Sequence, residues 1–145
     1  MKRLLLSMLV GFAALSLSAA DLEWHTDLAK AQAKAKAENK RVLIDFTGSD
    51  WCVFCIKLHK EVFTTPEFAA YAKKNLVLVE IDFPHKTPQS AELKRVNEKL
   101  QKEYKVRGFP TVVVLDSAGK KLGEMVGYGG GGPKAVIGKL DGFKS

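Results

Sequence analysis

The sequence predicts an α/β fold in which a central mixed sheet of about four strands carries helices on both faces. Short apolar, β-branched runs alternate with amphipathic runs over the first two thirds of the chain, and a hairpin-like pair of strands follows them. Alternating strands and helices are typical of parallel pairing, whereas a hairpin adds an antiparallel pair. A chain of 145 residues is long enough for one such domain with its own core.

The first half is expected to hold three helices and one strand. Residues 21–39 are rich in alanine and lysine, with apolar residues at helical spacing, and predict an amphipathic helix. Residues 41–47 form an apolar run that predicts the first core strand. Residues 52–63 predict the next helix, and Thr65-Pro66 opens another, because proline is tolerated in a first turn.

The second half is expected to hold three strands and two helices. Residues 76–81 predict a buried strand, and four apolar residues at helical spacing then predict a helix that runs to about Lys105. The remaining predicted elements are a strand at 111–115, a turn at 116–119, a strand at 121–126, a glycine-rich bend at 127–132 and a helix at 133–140.

The N-terminus carries the pattern of an export signal. Two basic residues precede an apolar run at 4–17, which ends in small residues at 18–20. This pattern is typical of a cleaved signal peptide, and the run is shorter than the roughly 20 residues that a membrane span needs. We expect a signal peptide at 1–20, a mature domain at 21–145 and a periplasmic or secreted protein, with an uncleaved anchor as the alternative.

The charge pattern argues against a nucleic-acid partner. The formal net charge is +7, from 23 Lys and Arg against 16 Asp and Glu. The lysines are spread over predicted helix faces, as on a solvated surface, and no aromatic residues interleave with a basic cluster. The sequence therefore predicts no nucleic-acid binding.

The two cysteines of the chain, Cys52 and Cys55, lie three positions apart in the motif Trp-Cys-Val-Phe-Cys. They follow the predicted strand at 41–47 and open the predicted helix at 52–63. At this spacing one sulfur can attack a foreign disulfide and the other can resolve the mixed disulfide. The amides and dipole of the helix start favour a thiolate at Cys52, whereas Cys55 lies one turn inside and is shielded. The pair therefore predicts redox chemistry with an exposed attacker and a covered resolver.

Two other uses of these cysteines are weaker on physical grounds. A structural disulfide across so short a loop would restrain little of the unfolded chain. A metal site made of Cys52, Cys55 and His59 is the second alternative, because His59 follows Cys55 by four residues on the same predicted helix. Zinc sites usually need a fourth ligand, and His25 and His85 lie in distant segments of the sequence. No metal or cofactor is therefore expected.

Two segments resemble a known family. Residues 46–55, Phe-Thr-Gly-Ser-Asp-Trp-Cys-Val-Phe-Cys, are similar to the active-site segment of exported thioredoxin-like proteins and of the C-terminal periplasmic domain of membrane thiol-disulfide interchange reductases. Residues 104–111, Tyr-Lys-Val-Arg-Gly-Phe-Pro-Thr, resemble the family's second motif, Val-x-Gly-x-Pro-Thr. The resemblance runs from about Trp24 to Phe143 and implies a thioredoxin-like fold. Ordinary thioredoxins carry Gly-Pro between the cysteines where this chain has Val-Phe, which leaves the redox potential open.

The resemblance implies a role for each residue of the site. Cys52 corresponds to the nucleophilic cysteine and Cys55 to the resolving one, with Trp51 as the aromatic residue beside the thiols. Pro110 corresponds to a cis-proline that faces the dithiol. Asp45 resembles the buried acid of the preceding strand, and we expect it to transfer protons to or from Cys55, with a satisfied buried acid without a role as the alternative.

Further residues are expected to bind substrate or to tune the dithiol. Two interpretations are open for Trp51 and Phe54: they pack as ordinary apolar residues, or they form an apolar rim that receives unfolded or extended substrates. A cis bond at Pro110 would leave the Phe109 backbone free to pair with a substrate strand. His59, on the predicted dithiol face, would favour the reactive thiolate when its imidazole is protonated, and a plain surface residue is the alternative reading.

The resemblance implies a soluble periplasmic thiol-disulfide oxidoreductase, either a protein-disulfide reductase or an interchange protein. Its expected partners are disulfide-containing proteins and a separate thiol electron donor such as a membrane reductase, since the sequence shows no electron-transfer domain in a membrane. A monomer is expected, because no added dimerisation domain is present. The alternative function is a non-catalytic copper or redox-protein chaperone on the same fold.

Overall fold

The computed structural model describes residues 21–144, so the predicted signal peptide at 1–20 lies outside the described residues. The strands are β1 (Trp24–His25), β2 (Arg41–Thr47), β3 (Leu76–Asp82), β4 (Thr111–Leu115) and β5 (Lys121–Val126). The helices are α1 (Leu28–Glu38), α2 (Val53–Leu58), α3 (Pro66–Asn75), α4 (Ala91–Glu103) and α5 (Gly132–Gly142). A π-helical turn, His59–Phe63, continues α2.

Within the described residues, the strands form one five-stranded mixed sheet in the order β1-β3-β2-β4-β5. β3 is parallel to both β1 and β2, while β4 is antiparallel to both β2 and β5. Phe46, near the end of β2, lies opposite Ile81 of β3 and Thr111 of β4. The end of β2, which leads into the dithiol, therefore lies beside the start of β4, which follows Pro110. The predicted mixed α/β sheet is confirmed.

The first element differs from the prediction. Residues 24–25 form a short strand, and α1 begins only at Leu28. Asp27 caps α1, because its side chain accepts a backbone N–H of the first turn at 3.1 Å. Trp24 packs against the ring of Phe63, with ring centroids 5.1 Å apart. This cap and this tertiary contact override the helical spacing, so the sheet has five strands rather than about four.

The helix that carries the dithiol also differs from the predicted span of 52–63. It begins at Val53, with Cys52 as its N-cap, and its hydrogen-bonding pattern changes to π-helical at His59. Val62 and Phe63 both reach the core from this π-helical turn. Such turns inside α-helices are frequently found at functional sites.

The sheet separates two apolar clusters in the described part of the chain, so helices cover both of its faces, as predicted. On one face Leu43 of β2 packs in a cluster with Leu58 of α2. On the other face Ile44 of β2 packs in a cluster with Ala31 of α1. Because side chains alternate along a strand, Asp45 points to the same face as Leu43, toward α2. Among residues 21–144, no helix has the length and apolar character needed to cross a membrane.

Candidate active site

The two cysteines lie where β2 passes into α2. The Gly48 carbonyl accepts the Cys52 N–H at 2.9 Å and so forms the turn between the two elements. Cys52 and Cys55 are disulfide-bonded, with Cα atoms 5.2 Å apart. The Cys55 N–H donates to Cys52 Sγ at 3.3 Å, and the Gly48 N–H donates to Cys55 Sγ at 3.5 Å. Cys52 Sγ therefore accepts an N–H from the first turn of α2, at the positive end of the helix, an environment that stabilises a thiolate.

Both cysteines are buried in this disulfide form, so the exposed attacker expected at Cys52 is not seen here. Cys52 is 7% exposed and Cys55 is 4% exposed, because the bond ties one sulfur back to its shielded partner. The side chains around them are open to solvent: Trp51 is 38% exposed and Phe54 is 58% exposed. The exposed side chains of Trp51 and Phe54 therefore form an apolar surface beside the dithiol, where the sequence predicts the apolar rim.

The structure brings the second motif beside the first. The Phe109–Pro110 peptide bond is cis, as the resemblance implied. Pro110 is buried, and its carbonyl accepts the Gly127 N–H at 2.8 Å. The ring of Phe109 meets the indole of Trp51 edge-on, with centroids 6.1 Å apart. The residues predicted from two separate motifs thus form one continuous site.

The indole of Trp51 is held by four neighbours, which we call the Trp51 clamp: Gly48, Phe83, His85 and Phe109. Its Nε1–H donates to the Phe83 carbonyl at 2.7 Å. The His85 ring stacks parallel on it, with centroids 4.2 Å apart and planes 2° apart. A Cβ on Gly48 would lie 2.5 Å from the indole, so a larger residue there would displace the ring. The clamp fixes the ring that directly precedes Cys52.

Asp50 ties the loop after β3 to the dithiol loop. Its carboxylate accepts three successive backbone N–H groups, from His85, Lys86 and Thr87, at 2.9, 2.8 and 2.7 Å. These bonds, with that of His85 the strongest, hold the pKa of Asp50 well below its usual range. The loop at 83–87 is therefore anchored against the segment that delivers Trp51.

Asp45 is a buried acid on the sheet face covered by α2. Its side chain is 5% exposed, and within residues 21–144 its Oδ1 has no hydrogen-bond partner. Burial, together with the smaller effect of the nearby carboxylates of Glu80 and Asp82, raises the pKa of Asp45 to about 8. Glu80 lies opposite Asp45 in the β2–β3 register. At neutral pH Asp45 is therefore mostly protonated.

His59 is exposed at the start of the π-helical turn. Its ring meets Phe63 edge-on, with centroids 6.4 Å apart. In the described chain its side chain makes no hydrogen bond to either cysteine sulfur, and the buried helix face continues through Leu58 instead. The tuning role of His59 stays a prediction. Residues 21–144 contain no group of three or more His, Cys, Asp or Glu side chains arranged to hold a metal ion.

Comparison with known proteins identifies the family. A family model described as a thioredoxin-like domain matches residues 28–132. The chain belongs to the thioredoxin-like family.

Three known proteins show how far the similarity of this thioredoxin-like chain extends. The disulfide bond reductase DsbH of Chlamydia pneumoniae is 40% identical over 124 residues, which are 86% of this chain and 74% of that protein. A solved structure of a DsbH oxidoreductase superimposes with a TM-score of 0.79 at 34% identity, covering 98% of this chain and 92% of that one. The thiol:disulfide interchange protein DsbD of Actinobacillus pleuropneumoniae serotype 5b is 31% identical over 96 residues, 66% of this chain but 15% of DsbD. The chain thus spans most of DsbH and a small part of DsbD.

The general predictions from the sequence are confirmed by the family and by DsbH. They are the thioredoxin-like fold, the Cys-x-x-Cys dithiol and the class of thiol-disulfide oxidoreductase. The roles assigned to individual residues stay predictions.

His85 is not among the residues that the sequence predicts for the site, because it lies in a segment distant from the dithiol. The fold brings His85 onto Trp51, because the loop after β3 turns back over the dithiol loop. One signal was present in the sequence. Asp50 directly precedes Trp51, and a carboxylate in a loop is an acceptor that needs N–H partners.

Proposed function

We propose that this thioredoxin-like chain is a periplasmic protein-disulfide reductase or interchange protein that works through Cys52 and Cys55. The observation that carries the proposal is the placement of the dithiol. It lies at the start of α2, beside the loop of Pro110, over the sheet face that holds the buried acid Asp45. The relative DsbH is named a disulfide bond reductase, which favours the reductive direction.

The proposed reaction consists of two thiol-disulfide exchanges. With the chain reduced, the Cys52 thiolate attacks one sulfur of the substrate disulfide, and the other substrate sulfur leaves as a thiolate and takes up a proton. Cys55 then loses its proton and attacks Cys52 Sγ, which releases the second substrate thiol. The substrate gains two electrons and two protons, and the chain ends as the Cys52–Cys55 disulfide seen in the structure.

Asp45 is proposed to donate a proton to Cys55 in one half of the cycle and to accept a proton from it in the other. Gly48, directly after β2, donates its N–H to Cys55 Sγ, and Leu58, one turn along α2 from Cys55, packs on the sheet face to which Asp45 points. When a donor thiolate reduces the disulfide, the protonated Asp45 supplies a proton to the leaving Cys55 sulfur. When Cys55 attacks, the Asp45 carboxylate takes that proton back. A pKa of about 8 suits both proton transfers, because Asp45 can gain or lose its proton close to neutral pH.

The apolar surface around the dithiol is proposed to receive the substrate. Trp51 and Phe54 stay open to solvent beside the cysteines, and Phe109 completes the surface on the side of Pro110. Exposed apolar patches of this kind mark binding sites for protein segments. The expected substrates are therefore disulfide-bonded proteins that present an extended or unfolded segment.

A separate thiol donor is proposed to recharge the disulfide form. Each turnover leaves Cys52 and Cys55 oxidised, so two electrons and two protons must come from another dithiol. The similarity to part of DsbD favours a membrane thiol-disulfide reductase as this donor. The chain is expected to act as a monomer.

Reduction of insulin disulfides tests this function against the chaperone alternative. With dithiothreitol as electron donor, we expect insulin precipitation to accelerate at least tenfold over the donor alone, because the activated dithiol turns over many times. Copper affinity is measured on the same reduced sample by competition with a chelator. Tight copper binding without any acceleration would contradict the oxidoreductase and support the chaperone.

We also propose that residues 1–20 are removed on export, since their pattern is that of a cleaved signal peptide. Intact mass spectrometry of the exported fraction is expected to show a chain that begins at Asp21. A chain of full length held in the membrane fraction would instead indicate an uncleaved anchor.

A further inference from the structure

We propose that His85 is a positioning residue for substrate binding, because it holds Trp51 as one wall of the substrate site. This inference rests on the proposed function. It assigns a task to a loop that contains none of the residues of the two family motifs. The loop at 83–87 enters the site only through the fold, where it covers the segment that delivers Cys52.

The first step concerns how far the Trp51 indole is exposed and how firmly it is held. Trp51 directly precedes Cys52 and remains 38% exposed after all its contacts, so part of its surface faces an incoming substrate. The one hydrogen bond of the indole, to the Phe83 carbonyl, does not by itself fix both side-chain torsions of Trp51. A side chain that is already fixed binds substrate more tightly, because ordering a mobile side chain during binding reduces the affinity for substrate.

The second step is the contact that fixes the ring. His85 stacks on the indole with planes 2° apart, so the two rings share a face rather than an edge. Offset stacking of aromatic rings is favourable beyond the area it buries. Phe109 meets the ring at its edge, and Phe109 itself stacks on Phe83 with centroids 5.1 Å apart. His85 is therefore the neighbour whose flat ring restrains rotation of the indole.

The third step is the support of His85 itself. An exposed histidine at a loop tip would ordinarily be mobile, but the Asp50 carboxylate binds its N–H and the next two along the chain. Charge-assisted bonds of this kind are shorter and stronger than neutral ones. Since Asp50 also neighbours Trp51 in the sequence, one carboxylate fixes the loop relative to the ring. The stack of His85 on Trp51 therefore joins two residues that other contacts already hold in place.

The test compares His85→Ala with His85→Phe, which keeps a flat ring but has no ring nitrogen. His25→Ala is the matched control, because it removes the imidazole of a histidine that lies on β1, outside the site. The reduction of two substrates is measured for each protein. Insulin is large enough to contact Trp51, whereas bis(2-hydroxyethyl) disulfide is too small to do so. We expect His85→Ala to raise the KM for insulin about three- to tenfold, the range that one aromatic pair supports.

The kcat for insulin, the rate with the small disulfide and the reduction potential are expected to stay within about twofold of wild type, because the dithiol is untouched. His85→Phe is expected to restore the KM. An unchanged KM in His85→Ala, an equal loss with both substrates, or a failure of His85→Phe to restore the KM would each overturn the inference. Wild type that reduces neither substrate would overturn the proposed function, and this inference with it.

A spectroscopic measurement reports the position of the ring without turnover. The chain has two tryptophans, so Trp24→Phe leaves Trp51 as its single indole. In that background we expect His85→Ala to reduce the near-ultraviolet circular dichroism of Trp51, and His85→Phe to retain it, because a freely turning ring loses its asymmetric surroundings. An undiminished signal in His85→Ala would show that other contacts hold the indole and would overturn the inference.

Discussion

Replacement of Cys52 by serine is expected to abolish disulfide exchange. The attacking sulfur is lost, and a serine hydroxyl in the same place is not ionised at neutral pH, so catalysed insulin reduction should fall by about three orders of magnitude or more, to the rate of the donor alone. Cys55→Ser keeps the attacker at the N-terminus of α2 and removes the resolving sulfur. It is expected to lose turnover as well, but for a different reason.

The difference between the two serine variants lies in what they trap. Cys55→Ser should accumulate covalent mixed disulfides with substrate, because nothing displaces the substrate from Cys52. Cys52→Ser should accumulate few, since Cys55 lies inside the first turn of α2 whereas Cys52 is its N-cap. Non-reducing electrophoresis after acid quenching, followed by peptide mass mapping, identifies the bonded cysteine. Equal trapping by the two variants would contradict the assignment of attacker and resolver.

Asp45→Asn is expected to change how the stability of the fold depends on pH. The pKa of Asp45 is about 8 in the folded chain, against an ordinary value of 3.8, and burial is the main cause. Between these values the folded state holds a proton that the unfolded state releases, so rising pH lowers the free energy of unfolding of wild type. Asparagine does not titrate. The stability of the variant relative to wild type should therefore increase by about 2 to 5 kcal/mol from pH 4 to pH 8.

Urea denaturation of the disulfide forms at a series of pH values measures this difference. Asp21→Asn is the control, because it removes a carboxyl that is exposed, and its difference from wild type should stay level. A level difference for Asp45→Asn would mean that Asp45 is ionised in the folded chain at neutral pH. In the same variant, loss of the proposed proton transfer should slow exchange at neutral pH by about a hundredfold. An unchanged exchange rate would make Asp45 a buried acid without a role in the reaction.

The parts of the fold that local pattern decides were predictable from the sequence. The apolar run around Ile44 and the hairpin strands appear where the pattern puts them, because burial on a sheet face selects those residues directly. The spacing of apolar residues predicts a helix at Trp24, since a two-residue edge strand leaves too short a pattern to detect. The strand follows instead from the contact of Trp24 with Phe63, which is distant in sequence.

The candidate site, like the fold, was only partly predictable from the sequence. The dithiol and Pro110 were found from motifs, because their chemistry fixes residue type and spacing. The stack of His85 on Trp51 and the register of Glu80 opposite Asp45 depend on how β3 and its following loop lie against β2. That arrangement results from packing of the whole sheet. No local pattern around His85 encodes its partner, although Asp50 beside Trp51 was a usable hint.

A single-turnover reaction tests the central claim, that Cys52 and Cys55 form a two-electron reductant for protein disulfides. Fully reduced chain, freed of donor, is mixed with an equal amount of a protein that carries one accessible disulfide. We predict that two substrate thiols form for each chain oxidised, and that peptide mapping finds the Cys52–Cys55 disulfide in the product. A chain that stays reduced while the substrate disulfide survives would contradict the account.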